Sequence, residues 1–421
     1  MKNIVLIDAF STLHVGNGVL LDQSIKVFDD LLGENNYKKK ILTKDLKTNS
    51  LRYDSSELLE SYFGTFWEGK SFLPKLIWII TTTIEFILLY INNKTFRISP
   101  KKIVFSKKRA HIISIIQKAD VCASINGEMI NDTFKNRSIF WLFFFWLITD
   151  VLNKKLVLFP QSYGPLKDGL FKRVVKRVLD NANLVVARDL PSYNLMKGLL
   201  NEGQEVVYSP DVGFMQTTNS MHIDIKKYFT ESNDKKIIGV TISKIVNEIN
   251  YNVDYYSEIL NSLIESFDVD SYKFLIMPSN YIHNGKSNDY LICERLYNDL
   301  RTKSFEVNIL ENKIFFPDEY QSLQKQLNIF ITTRMHVGII STSAYVPTIS
   351  INTQHKIRGY MTNIQMQDYC IDLDKMSNMT SVIKKIKENR DRVIETLKHS
   401  NDKMLLEMTE FKQKLMKNIE G

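Results

Sequence analysis

Apolar and polar positions alternate along the chain in a strand-then-helix rhythm. Short runs rich in Val, Ile, Leu and Phe predict buried strands at 3–7, 119–125, 155–159, 183–187, 205–208, 236–243, 272–278, 328–332 and 348–351. Helical spacing follows several of them, as in 170–182, whose outer face carries Lys and Arg. Strands that alternate with helices form parallel sheets covered on both faces, so the pattern predicts an α/β fold.

The length of 421 residues exceeds what one hydrophobic core normally holds, so we expect two domains. The strand–helix series runs through residues 1–215 and again through 236–380. Residues 216–235 between them are polar and predict a linker, and 381–421 predict C-terminal helices rich in Lys and Glu.

Residues 327–356 form the most informative strand–helix–strand unit. Arg334, Met335 and His336 follow the strand at 328–332, and the small and apolar residues 337–344 predict a closely packed helix. Thr332 or Thr333 is the expected cap of that helix. A helix N-terminus at the carboxyl end of a parallel strand favours an anion, so Arg334 and His336 predict an anion site, with Lys356 just beyond the next strand.

Arg188 repeats this placement in the first half of the chain. It follows the strand at 183–187, and Asp189 is the expected N-cap of a helix that Pro191 helps to start. Either arginine alone is most simply an ion-pair residue. Finding both at equivalent places predicts that they serve one anion.

Other strand ends carry polar or glycine-rich loops. Asn126-Gly127-Glu128 follows the strand at 119–125, where Glu128 either orients a sugar hydroxyl and takes its proton or is a solvated turn residue. The loop expected at 15–18 contains two glycines and either holds an anion or is a tight turn, because it lacks the full dinucleotide-binding pattern.

Two apolar runs stand out, at 77–91 and 139–148. One interpretation makes both core helices that flank a sheet. The alternative is a peripheral membrane contact in the bilayer plane, because aromatic and apolar surface beside Lys and Arg docks on anionic lipid. A transmembrane span is the least favoured, since the wider stretch 72–91 around the first run contains Lys75 and Glu85 and the second run is too short.

The net charge of +8 favours anionic partners, although no compact basic and aromatic motif indicates nucleic acid. Three widely spaced cysteines give no disulfide framework or zinc motif and fit a reducing compartment. The N-terminus turns acidic too early for a signal peptide, so we expect a cytoplasmic protein. No cluster with metal-ligand spacing is present in the sequence, and we expect neither metal nor cofactor.

Five motifs in this order and spacing carry a family resemblance: 126–128, Pro160-Gln161-Ser162-Tyr163-Gly164-Pro165, Val186-Ala187-Arg188-Asp189 with Ser192, Ser209-Pro210-Asp211, and Thr333-Arg334-Met335-His336 with Pro347 and Lys356. Over residues 3–372 the chain resembles the polysaccharide pyruvyl transferases. The resemblance implies two Rossmann-like domains facing across a cleft, as in GT-B glycosyltransferases.

The implied reaction moves the pyruvyl group of phosphoenolpyruvate onto a hexose of a cell-surface polysaccharide, such as a capsule, or of its lipid-linked precursor, and releases phosphate. Arg334 and His336 match the family's Arg-x-His motif and are the implied donor-site residues, with Arg188, Met335 and Lys356 as further donor contacts. Arg forks suit phosphate and carboxylate, and His holds a proton near neutral pH, so we hypothesise that His336 protonates the donor.

The acceptor side is predicted from the same motifs. Asn126, Gln161 and Tyr163 are the expected acceptor contacts, and Glu128 or Asp211 is the expected base. A lipid-linked acceptor would give the apolar runs a reason to touch the inner face of the plasma membrane. Two alternatives remain: a GT-B glycosyltransferase that uses a nucleotide sugar, and a non-catalytic, membrane-associated assembly partner.

Overall fold

The computed structural model describes residues 1–64, 71–96, 98–133, 135–217, 223–229, 234–243, 255–281 and 288–421. The chain forms two compact units, each discontinuous in sequence. Unit 1 contains Met1–Ser11, Leu20–Asp211 and Glu407–Gly421, and unit 2 contains Thr12–Val19 and Val212–Leu406.

Unit 1 is built on a seven-stranded parallel sheet in the order β3-β2-β1-β4-β5-β6-β7. Its strands are β1 Lys2–Ala9, β2 Tyr37–Thr43, β3 Leu58–Glu60, β4 Val121–Ser124, β5 Lys155–Gln161, β6 Leu184–Ala187 and β7 Val206–Tyr208. The helices of this part of the chain are α1 Val15–Leu32, α2 Leu46–Asn49, α3 Phe72–Lys94, α4 Lys107–Ile116, α5 Lys135–Trp146, α6 Gly169–Leu179 and α7 Leu190–Leu199. The strand order reverses between β1 and β4, and such a switch point is where open α/β sheets bind ligands.

Unit 2 contains a six-stranded parallel sheet in the order β10-β9-β8-β11-β12-β13. Its strands are β8 Lys236–Thr241, β9 Tyr272–Ile276, β10 Glu306–Ile309, β11 Ile329–Thr332, β12 Thr348–Asn352 and β13 Cys370–Asp372. The helices here are α8 Tyr255–Ser266, α9 Tyr290–Thr302, α10 Pro317–Gln324, α11 Met335–Ser343, α12 His355–Asn363, α13 Met379–Glu388 and α14 Arg390–Glu420, the last of which continues into unit 1. The switch point of this sheet lies between β8 and β11.

The predicted α/β class with two Rossmann-like domains is confirmed, because every strand pairing in both sheets is parallel. Each of the nine predicted strand segments overlaps an observed strand. Strands β2, β3, β10 and β13 were not predicted. Strand β2 contains three consecutive lysines, and β3 and β13 have three residues each, too few for a periodic signal.

The segment expected to be a loop at 15–18 is instead the first turn of α1. The carbonyl of His14 accepts the backbone N–H groups of Asn17 and Gly18 at 2.9 and 3.1 Å, which closes that turn. The glycines therefore serve close packing rather than a loop conformation. A Cβ on Gly18 would lie 3.2 Å from Pro317.

Between the two strand series, the described part of the segment predicted to be a linker packs on unit 2. Ile225 and Phe229 are buried in the unit 2 core, and the backbone N–H of Ile225 donates to the side-chain oxygen of Gln326 at 3.0 Å. Residues 218–222 and 230–233 of that predicted linker lie outside the described residues.

The two apolar runs differ in how far they are buried. Most of 139–148 is buried in unit 1, with Leu142, Phe144 and Phe145 at 1% exposure or less, which confirms the core interpretation for that run. The first run forms α3, which among the described residues is the one helix long and apolar enough to cross a membrane by length and composition. Only 22% of its most apolar stretch is buried.

Candidate functional site

Arg334 lies at the junction between β11 and α11. It is the N-cap residue of α11, and its own N–H donates to the hydroxyl of Thr332 at 2.9 Å. The predicted cap by Thr332 or Thr333 is therefore wrong in position, because Thr332 bonds the N-cap residue rather than the helix. Met335 and His336 are the first two residues of α11, at its positive dipole end.

A buried carboxylate holds the Arg334 guanidinium in place. Nη2 and Nε donate to the two oxygens of Asp289 at 2.5 and 3.1 Å, a bidentate geometry that fixes the plane of the fork. Ser279 donates to the same carboxylate at 3.2 Å. Burial raises the pKa of Asp289, and Arg334 opposes that rise. The Arg334 side chain is 22% exposed, whereas its partner Asp289 is fully buried.

His336 packs against Gly16 in the first turn of α1. A Cβ on Gly16 would lie 2.7 Å from the Cβ and 2.9 Å from the Nδ1 of His336, and 2.9 Å from the Cε1 of His14. A side chain at position 16 would therefore displace both rings. Glycine is required here for close approach, since the residue lies inside a helix where it otherwise costs stability.

His14 is the second histidine of this cluster. Its Nδ1 accepts the backbone N–H of Gly16 at 3.0 Å, which leaves Nε2 to carry the ring proton of the neutral form. Burial lowers the pKa of His14 well below its usual value, and Arg334, His336 and Lys356 lower it further. His14 is therefore neutral near pH 7 and contributes a hydrogen bond rather than a charge.

Lys356 completes what we call the basic cluster, defined as His14, Arg334, His336 and Lys356. It lies in the first turn of α12, directly after β12, and is partly buried. All four residues belong to unit 2, and its carboxyl sheet edge supplies three of them. Two permanent cations, two imidazoles and the N-terminus of α11 can hold a small dianion and exchange a proton with it.

Arg188 occupies the corresponding junction of unit 1, between β6 and α7. Asp189 caps α7 by accepting the N–H of Ser192 at 2.8 Å, as predicted. Arg188 is buried, with its Nη1 2.6 Å from Asp211 and its Nε 2.9 Å from the Ser162 hydroxyl. A Cβ on Gly127 would lie 2.9 Å from that Nη1, so the glycine makes room for the guanidinium.

The other predicted acceptor-side residues surround this pair. Asn126 is 9% exposed, Gln161 1% and Tyr163 4%, and burial raises the pKa of Tyr163 well above its usual range. Glu128 is partly exposed and accepts from Asn131 at 3.4 Å. Unit 1 thus brings together Asn126, Glu128, Gln161, Tyr163, Arg188 and Asp211, whereas unit 2 brings together Arg334, Met335, His336 and Lys356.

Asp8 is a buried carboxyl group at the switch point of the unit 1 sheet. It follows the core of β1 with φ of 70°, a left-handed conformation that is uncommon for a residue with a Cβ. Oδ2 accepts from the Ser124 hydroxyl of β4 at 2.6 Å, and Oδ1 is buried without a hydrogen-bond partner among the described residues. Burial raises the pKa of Asp8 to about 7, which Ser124 and Lys44 partly oppose.

Sequence reasoning missed the roles of His14, Asp289 and Asp8. A carboxylate at the end of the first strand was a usable signal for Asp8. No pattern connects His14 to a histidine 322 positions later, because residues 12–19 join unit 2 only through tertiary structure. Asp289 lies in a polar segment that has no regular spacing.

Solved structures with the same architecture define the structural class. The Anabaena protein HepE in complex with UDP and glucose matches with a TM-score of 0.56 and 9% identity, covering 100% of both chains. The UDP-GlcNAc 2-epimerase of Neisseria meningitidis matches with a TM-score of 0.53 and 12% identity over 97% of this chain and 100% of that one. At these identities the likeness establishes the GT-B-like fold alone.

The family follows from the sequence itself. The family model for polysaccharide pyruvyl transferases matches residues 66–355, which is more than half of the chain, so the protein belongs to the polysaccharide pyruvyl transferase family. The amylovoran biosynthesis protein AmsJ of Erwinia amylovora is 21% identical over 244 residues, which are 55% of this chain and 57% of that protein. The chain therefore spans somewhat more than half the length of this relative.

Proposed function

We propose that the protein transfers the pyruvyl group of phosphoenolpyruvate to two hydroxyls of a hexose in a cell-surface polysaccharide or its lipid-linked precursor. Family membership supports a transferase role in polysaccharide synthesis. The observation that carries the donor assignment is the basic cluster. In it, two hydrogen bonds to Asp289 fix the orientation of the Arg334 guanidinium, and His336 lies two residues further on at the start of α11. Phosphoenolpyruvate carries a phosphate and a carboxylate a few ångströms apart, which suits this arrangement.

In the proposed reaction, His336 gives a proton to the methylene carbon of the donor, which makes C2 electrophilic. Arg334 and Lys356 hold the anionic groups, and neutral His14 orients the donor through Nε2–H. Two hydroxyl oxygens then form bonds to C2 while the bond from C2 to the phosphate oxygen breaks. One hydroxyl proton restores His336, and a carboxylate base takes the other and passes it to the departing phosphate.

The base that receives the hydroxyl proton is the second assignment. Glu128 and Asp211 stay predictions for this role, although Asp211 is buried in an ion pair with Arg188 at 2.6 Å. Asp8 is a further candidate in unit 1, because it is a carboxyl group at the switch point of the sheet whose raised pKa of about 7 allows it to take a proton and return it. Its buried, unpartnered oxygen is otherwise without a structural reason.

A transfer assay tests the proposal. Purified protein is incubated with phosphoenolpyruvate and lipid-linked or free galactoside and mannoside acceptors, and products are followed by mass spectrometry and phosphate release. We expect an acceptor heavier by one pyruvyl ketal, with one phosphate released per ketal and no nucleotide consumed. Hexose addition from a nucleotide sugar would instead establish the glycosyltransferase alternative.

The matched control for this assay is a histidine far from the cluster in sequence. His399 is exposed on α14, and His399→Asn should leave ketal formation unchanged. If the purified protein formed no ketal, while His336→Asn and Arg334→Ala left product formation in cells intact, the protein would be a non-catalytic assembly partner.

A further inference from the structure

The exposed apolar side chains of this protein are concentrated in one segment. Thirteen of the twenty-three exposed large apolar side chains in the described chain lie between Phe72 and Phe105. On α3 they are Phe72, Leu73, Leu76, Ile77, Ile80, Ile84, Ile87, Leu88, Tyr90 and Ile91. Their spacing of three and four residues places most of them along one face of the helix. With 23 residues, that face is about 34 Å long.

The opposite face of α3 is packed into unit 1, and it carries the polar residues Thr82, Glu85 and Asn92 as well as the core residues Phe86 and Leu89. Glu85 is fully buried and accepts from Arg109 at 3.0 Å, from the Tyr62 hydroxyl at 2.9 Å and from the N–H of Phe105 at 3.1 Å. Thr82 accepts from the same guanidinium at 3.0 Å. The outward face of α3 is thus apolar and its buried face is partly polar, whereas an ordinary surface helix exposes its polar face.

This anchoring opposes a transmembrane orientation of α3. Removal of the helix from unit 1 would separate the Glu85–Arg109 pair and place a carboxylate in hydrocarbon. Asn93 adds a second anchor, because its side-chain amide donates to the backbone carbonyl of Asp150 at 3.2 Å. The outward face therefore stays fixed on the folded unit.

The charge around this face identifies its occupant. Residues 71–109 contain eight Lys and Arg and one acid, the buried Glu85. Lys94, Lys101, Lys102 and Lys107 are exposed at the end of the helix and just beyond it. Like charges would face one another if a second copy covered the same patch, which disfavours a symmetric dimer. Anionic lipid headgroups complement these charges, and the acyl region complements the apolar face.

We infer that the outward face of α3, together with Lys94, Lys101, Lys102 and Lys107, is a docking surface for an anionic lipid bilayer, on which α3 lies in the bilayer plane. Phe72, Tyr90, Phe96 and Phe105 then lie at headgroup depth, where aromatic side chains are favoured. Such docking would hold the enzyme beside a lipid-linked substrate. The binding itself requires neither donor nor acceptor.

Vesicle flotation of the full-length protein tests this inference without reference to the transfer reaction. We expect the protein to float with phosphatidylcholine vesicles that contain phosphatidylglycerol, and to remain unbound with phosphatidylcholine alone. Raising the salt concentration should release it, because the lysine contribution is screened.

Two sets of variants locate the surface. Ile80→Glu combined with Ile84→Glu should reduce binding more than tenfold, because two charges would enter the apolar boundary. Lys101→Glu with Lys102→Glu should reduce binding at least about fivefold for each lysine lost. The matched controls are Leu170→Glu with Leu291→Glu, which alter exposed leucines elsewhere, and Lys172→Glu with Arg173→Glu on the basic face of α6.

Three outcomes would overturn the inference. The wild-type protein would remain with the unbound fraction at low salt, or the α3 variants would float as well as the controls. Alternatively, light scattering would show a dimer that Ile80→Glu with Ile84→Glu converts to a monomer, which would assign the face to a second copy. Circular dichroism of each variant establishes that its fold is retained.

Discussion

Arg188 and Arg334 occupy equivalent places in the folds of the two units, but their surroundings differ. Arg188 and Arg334 each follow a strand at its carboxyl end and precede a helix. The Arg188 side chain is 1% exposed and lies against the equally buried Asp211, whereas Arg334 is 22% exposed and pairs with Asp289. The same local pattern therefore produces a closed ion pair in unit 1 and a half-open one in unit 2.

The difference shows that a basic residue after a parallel strand is not by itself a binding group. The Arg334 side chain is partly exposed, and the residue lies beside His336 at the N-terminus of α11, a position that favours an anion. Inside unit 1, the Arg188 guanidinium donates to Asp211 and to the Ser162 hydroxyl, and it packs closely against Gly127. The donor-binding role predicted for Arg188 stays a prediction, and Arg188→Met with its double variant separates that role from a purely architectural one.

The largest effect is expected in the basic cluster of unit 2. His336→Asn should lower the rate of ketal formation by about 10²–10⁴, the usual contribution of a general acid. The melting temperature should change little, since His336 is only partly buried. Steady-state kinetics beside a thermal melt check both. A loss of activity that followed loss of folding would contradict the assignment.

For the buried Arg188–Asp211 pair of unit 1 we expect an effect on stability. Arg188→Met should lower the free energy of unfolding by about 3–5 kcal/mol, because it leaves Asp211 buried without its cation. Arg188→Met with Asp211→Leu should recover much of that loss, as measured by urea denaturation. If the double variant were stable and still transferred pyruvate at the normal rate, Arg188 would be architectural. If it were stable but no longer bound donor, the predicted donor contact would be supported.

Asp8 lies in the same unit 1 sheet as the strand before Arg188, and its effect on stability should depend on pH. An unfolded Asp has a pKa near 3.9 and Asp8 in the folded chain about 7, so its favourable contribution is complete below about pH 4 and is lost as the pH rises through 7. At pH 8, Asp8→Asn should raise the free energy of unfolding by up to about 4 kcal/mol, and at pH 4 by little. Urea titrations at both pH values measure this.

The same variant should lose transfer activity, because the amide cannot accept the hydroxyl proton. An Asp8→Asn protein that is more stable but inactive would indicate that Asp8 serves the reaction and lowers the free energy of unfolding of the native protein. Stabilisation with full activity would leave Asp8 without a catalytic role.

The smallest effect concerns the packing of His14 and His336 on Gly16. Gly16→Ala should cost about 1–3 kcal/mol of overpacking, offset in part by the better helix propensity of Ala. Donor affinity should fall because both rings must move. Gly203→Ala is the matched control, since nothing lies within 4 Å of its missing Cβ. Equal donor affinity in the two variants would contradict the close approach.

The sequence predicted the strands well because parallel strands are apolar on both faces and leave a continuous signal. It predicted the α11 junction for the same reason, since Arg334 and His336 directly follow β11. The apolar runs show the limit of such patterns. Both 77–91 and 139–148 are strongly apolar, yet α5 is buried and α3 is exposed, because only tertiary packing decides which face of a helix is covered.

Discontinuous units set a second limit. Thr12–Val19 belongs to unit 2 although it directly follows a strand of unit 1, and Glu407–Gly421 returns to unit 1. Lys414 pairs with Glu205 there, and the Phe411 ring packs edge-on against Phe159 at 5.0 Å. These connections depend on long-range contacts, so His14 became part of the basic cluster without any local sign.

The central claim is that the basic cluster of unit 2 binds the donor. A crystal structure with phosphoenolpyruvate, or an unreactive analogue, tests it most directly. We expect the phosphate and carboxylate beside Arg334 and Lys356, with the methylene carbon within reach of His336. A nucleotide that occupied this cluster in place of phosphoenolpyruvate, or donor bound elsewhere with the cluster untouched, would contradict the claim.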